Sequence, residues 1–116
     1  MPSEITPTIA PVMNEPKTSA EYLTRAWTRL AEQKNQEAEA DFLQVIQMDS
    51  QPADAYYGLG LALNRAGHKQ AARQAFQQAM DLVKANVFAD SPRHGTILRN
   101  LIQSQIFMLG ESGKTE

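Results

Sequence analysis

Apolar residues recur along this chain at intervals of three and four, the period of one helical face, and no stretch alternates every second residue for long enough to form a strand. The pattern predicts five helices from Thr18 onward. Thr18 and Glu21 have the spacing of a capping box, in which each side chain satisfies the other's backbone donor. Tyr22 or Leu23, Ala26, Trp27 and Leu30 then form one stripe that runs to about Glu32. After a polar break at residues 34–36, Ala38, Phe42, Val45, Ile46 and Met48 carry a second stripe, which ends near Asp49. Pro52 suits the first turn of a third helix, where its missing N–H would be unsatisfied anyway. Tyr56, Leu59, Gly60 and Leu63 follow, and Gly67 is a natural stop. A fourth helix carries Ala72, Ala75, Phe76, Ala79, Leu82 and Val83 and lasts to about Ala85. Ser91 and Pro92 open a fifth, as N-cap and first-turn proline, and Gly110 closes it.

Before Thr18 the pattern fails, because Pro2, Pro7, Pro11 and Pro16 each lack an amide donor and push their predecessors toward extended geometry. Three segments are therefore expected: an extended or disordered arm over residues 1–17, a helical domain over 18–110, and a disordered tail over 111–116.

Ala38, Phe42 and Val45 of the second helix correspond to Ala72, Phe76 and Ala79 of the fourth, each 34 residues later. A fixed offset of this size is the mark of a repeated hairpin. Small Ala38 and Ala72 let paired helices approach closely, while Phe42 and Phe76 fill the gap to the next hairpin.

With these residues the sequence resembles the tetratricopeptide repeat family, whose unit combines an aromatic, Leu-Gly, Tyr, then Ala with an aromatic four residues on. In the second unit Tyr56, Leu59, Gly60, Leu63, Gly67, Ala72, Phe76 and Ala79 stand at those positions, with Lys84 where a terminal proline is usual. The first unit aligns through Ala38, Phe42 and Asp49. Its first helix aligns with the inter-helix turn taken one residue short, which puts Leu23, Ala26, Trp27 and Leu30 at the aromatic, Leu, Gly and Tyr positions. The resemblance covers residues 19–86. It implies an all-α fold, an α-solenoid of two helix hairpins plus one C-terminal capping helix.

The resemblance further implies a concave surface lined by the first helices, where a peptide or partner helix lies. Carried over position by position, the groove residues are Arg25, Thr28 and Glu32 in the first unit and Tyr57, Leu61, Asn64 and Arg65 in the second. Tyr57 and Leu61, one turn apart, offer an apolar contact flanked by hydrogen-bonding groups, unless the fifth helix folds over them. Some relatives grip a C-terminal carboxylate with Lys and Asn spaced four apart. Thr24 and Thr28 stand there, so no such clamp is expected.

The fifth helix adds a second surface, since Ile97, Leu98, Leu101, Ile102, Ile106, Met108 and Leu109 spread over about half its circumference and Phe107 falls outside that arc. A cap with one buried stripe needs a narrower face. Ile97, Ile106, Phe107 and Met108 therefore mark a possible oligomer or assembly surface, the alternative being that the helix uses the whole arc internally.

Composition narrows the function. At 116 residues the chain fits one domain, and a net charge of -2 gives no general attraction for nucleic acid or anionic lipid. Without cysteine there is no disulfide frame or thiol nucleophile, and the acidic, proline-broken N-terminus does not read as a secretory signal. No run approaches the roughly 20 apolar residues of a transmembrane helix, so a cytoplasmic location is expected. His68 and His94 have no spaced partners for a metal, Glu32, Glu37, Glu39 and Asp41 are expected mostly to face water, and His94-Gly95-Thr96 is too short for a phosphate loop. The expectation is a non-catalytic module with no cofactor and no metal, holding another protein or peptide. The alternatives are a structural subunit or obligate homodimer, an accessory domain of enzyme machinery, or a small-ligand carrier, for which no closed pocket is evident.

Overall fold

A computed structural model describes residues 15–85, 88 and 90–114, with side chains to residue 110. Five helices form: α1 (Ser19–Ala31), α2 (Asn35–Met48), α3 (Ala53–Arg65), α4 (Lys69–Lys84) and α5 (Pro92–Lys114). Among the described residues there is no strand. The arm expected over residues 1–17 lies outside the described residues as far as residue 14, and residues 15–18 precede α1 without helix. Residues 115–116 of the expected tail also lie outside them.

Local chemistry sets the helix ends. Thr18 Oγ1 accepts from the Glu21 amide at 3.1 Å while Glu21 Oε1 accepts from the Thr18 amide at 3.4 Å, completing the capping box. Pro52 sits one residue before α3 rather than inside its first turn. Backbone continues helical through Gly110 to Lys114, past the expected stop, because a lone glycine costs a helix only about 1 kcal/mol when no left-handed turn is imposed there.

The two hairpins, α1–α2 and α3–α4, repeat at a constant offset of 34. Ser19 maps to Ala53, Ala31 to Arg65 and Asn35 to Lys69. The turns match bond for bond. The Lys34 amide donates to the Arg29 carbonyl at 2.8 Å as His68 does to Leu63 at 2.9 Å, and Gln33 donates to Leu30 as Gly67 does to Asn64. Gln33 takes the left-handed backbone, φ 65°, that Gly67 takes at 92°. This corrects the one-residue deletion expected in the first turn. Gln33 hides the turn from sequence because it occupies a glycine-type position without being glycine.

The full-length register moves every residue of α1 by one. Ala26, not Trp27, stands at the position of Gly60, and both are buried. Phe42 and Phe76 are each fully buried. Phe76 packs on Gly60, and Phe42 reaches across to Gly58 of the next hairpin, where an added Cβ would collide with its ring. Phe42 thus fills the gap to the next hairpin as the 34-residue pattern predicts, whereas the glycine contact of Phe76 lies within its own hairpin. Helix α5 packs along α4, burying Leu98, Ile102 and Leu109, and Arg73 Nη2 donates to the Leu109 carbonyl at 2.6 Å.

Candidate functional site

The faces of α3 follow from what each residue touches. Ala55, Gly58 and Ala62 lie toward α2, and Tyr56, Gly60 and Leu63 lie toward α4. Tyr57, Leu61 and Asn64 remain on a third face and are half-buried. In the constant register Tyr57 maps to Leu23 and Leu61 to Trp27, which are also half-buried. Leu23 and Trp27 of α1 therefore continue the row begun by Tyr57 and Leu61 of α3. Trp27 and Tyr57 have ring centroids 6.3 Å apart, and Trp27 also sets its edge on Phe42 at 5.0 Å. Tyr57 lies 5.9 Å from Phe76. Burial between these rings pushes the Tyr57 phenol above its ordinary pKa.

The other sequence-derived groove residues fall elsewhere. Arg25 faces α2, where its Nε and Nη2 donate to the two carboxylate oxygens of Asp41, both at 2.8 Å, and Arg29 Nη1 adds a third bond at 3.1 Å. Asp41, expected to face water, is 3 % exposed. The Asp41 hydrogen bonds and charge hold the Arg25 guanidinium ionised beyond its ordinary range. The three residues map onto Leu59, Leu63 and Ala75, all buried apolar residues of the second hairpin. An ionic triad in the first hairpin thus replaces an apolar one in the second, and the sequence hides it because acids on a helix are usually solvated.

Thr28 maps to Ala62 and so lies on the outer end of the stack, beside Thr24 and Glu21, all exposed. Glu32 caps α1 and is exposed. Arg65 turns back to donate from Nη1 to the Leu30 carbonyl at 3.1 Å. With Ala31, Gln33 and Asn35 it lines an open depression of about 510 Å³ at the first inter-helix turn. Asn35 Oδ1 is buried there with no hydrogen-bond partner among the described residues.

On α5, Ile97, Leu101, Phe107 and Met108 are exposed. Ile106 is not among them. That side chain sits about 60° beyond Leu109 on the covered side and packs against the core. His94 Nε2 meets Asp54 Oδ1 at 3.2 Å, tying α5 to α3, and its ring lies tilted by 50° against Phe88 at 4.5 Å. Among the described residues no three His, Asp or Glu side chains converge on a metal site, and no helix is long and apolar enough to cross a membrane.

Residues 53–85, spanning α3 and α4, match the tetratricopeptide repeat family, whose members generally mediate protein–protein interaction. No curated protein and no solved structure matches the chain.

Proposed function

We propose that this chain, a small tetratricopeptide-repeat-like protein of two hairpins and a closing helix, is a non-catalytic interaction module that holds a peptide or helical segment on the shared face of α1 and α3. The observation that carries this reading is the half-buried row Leu23, Trp27, Tyr57 and Leu61, contributed by two neighbouring helices. Aromatic side chains with part of each ring open to solvent suit the central contact of an interface, because they bury much area with little loss of rotamer freedom. Asn64, half-buried on the same face, supplies a hydrogen-bonding group at one end. An adaptor role in the cytoplasm, with no nucleic-acid partner, fits the near-neutral charge and the lack of cysteine.

The chain has a single tryptophan, Trp27, and it lies in the row, so its fluorescence reports occupancy directly. Peptides selected from a random library on the intact chain are expected to shift that emission. Tyr57→Ala or Leu61→Ala is expected to weaken them at least about tenfold, the scale of one lost hot-spot contact. Thr28→Ala, on the outer end, is expected to leave affinity unchanged. Selected peptides that bind the Tyr57 and Leu61 variants as tightly as the native chain would remove the groove from the proposal.

A further inference from the structure

The stack ends differently on its two sides. On α1 the positions that in α3 pack against a preceding helix are Glu21, Thr24 and Thr28, all polar and exposed, where α3 has Ala55, Gly58 and Ala62. That end is closed to further stacking. On α5 the outward positions are apolar, with Ile97 53 %, Leu101 45 %, Phe107 67 % and Met108 51 % exposed. Helix α5 thus carries two apolar faces, like an interior helix, and α4 covers one of them.

The geometry points to a second copy of this chain as the occupant: the two α5 helices pair antiparallel through Ile97, Leu101, Ser104 and Met108, closing a two-fold dimer. Three observations select this partner. The four residues are spaced four, three and four apart, the seam of a two-helix coiled coil, and small Ser104 near the middle permits close approach. Head-to-tail stacking of copies is disfavoured because it would set the apolar α5 face on polar Glu21, Thr24 and Thr28, so copies of this chain can cover the surface only face to face, in a closed arrangement. Arg93, His94 and Arg99 are the only ionisable residues from 92 to 110, and an antiparallel pair keeps the two Arg93 side chains roughly 28 Å apart at 1.5 Å per residue, beyond the screening length of about 8 Å. The exposed apolar side chains on this side of α5 offer roughly 400 Å², about half of the roughly 800 Å² per partner of a standard interface, so the pair is expected to be weak and concentration-dependent.

Light scattering on the intact chain from low micromolar to near-millimolar concentration is expected to show mass rising from 12.9 kDa to twice that value. The double variant Leu101→Asp, Met108→Asp is expected to stay at the single-chain mass with an unchanged helical circular-dichroism signal. Because the chain lacks cysteine, orientation is read directly. Mixed Ile97→Cys and Met108→Cys proteins are expected to form a heterodimeric disulfide. Ile97→Cys alone is not, since an antiparallel pair holds those positions roughly 16 Å apart and a disulfide needs Cα atoms within about 7 Å. A single-chain mass at every concentration, or self-linking of Ile97→Cys matching the mixed reaction, would overturn the proposal.

Discussion

Position 41 shows what one residue imposes on its surroundings. An aspartate buried in α2 must be neutralised, and Arg25 and Arg29, one turn apart on α1, do so with three hydrogen bonds. Removing one member of such a cluster costs more than never having built it. Asp41→Ala is expected to lower stability by about 3 kcal/mol, the low end for a broken buried pair because both guanidinium groups keep some solvent contact. Converting the triad to its counterpart, with Arg25→Leu, Asp41→Ala and Arg29→Leu together, is expected to restore native stability or exceed it. Urea unfolding of the two variants decides: a neutral Asp41→Ala would mean that the ion cluster contributes nothing. Charges on a helix that carries Ala38 and Phe42 inward look solvated, and only the facing arginines, which come from another helix, show that this one is not.

At the scale of elements, the turns decide the register. Both hairpins use a three-residue connection with a left-handed residue at its centre, Gln33 in one and Gly67 in the other. For an L side chain that conformation costs about 1 kcal/mol or more. Gln33→Gly is therefore expected to raise stability by about 0.5–1 kcal/mol after the entropy loss of glycine, visible as a melting point several degrees higher. An unchanged or lower melting point would show that Gln33 is not strained. Helix positions, the Thr18–Glu21 cap and the apolar stripes were legible because they depend on near neighbours in sequence. The register of α1 was not, because its turn lacks the glycine that marks the second, and a one-residue slip moves Thr28 and Glu32 onto the groove and Trp27 off it.

Across the whole molecule, α5 supplies what two hairpins lack. Two repeats are few for a self-sufficient stack, and α5 covers α4 with Leu98, Ile102 and Leu109. Ile102, fully buried, is expected to cost about 2–5 kcal/mol when cut to alanine. Leu101→Ala, next to it but nearly half exposed, is expected to fall within about 0.5 kcal/mol in the single-chain state. Thermal melts at low concentration separate the two. Equal losses would mean that α5 is not seated on α4 by the face described.

The order of helices, the Thr18–Glu21 cap, the 34-residue repeat and the buried pair Phe42 and Phe76 were fixed by the amino-acid sequence, because helical periodicity and small-beside-large packing are written in residue spacing. Which side chains share the α1–α3 face, which acid is buried, and which edge of α5 stays open were decided by tertiary contact alone. Those depend on where a second helix lies, and a helix presents the same residues to every direction until a neighbour chooses one.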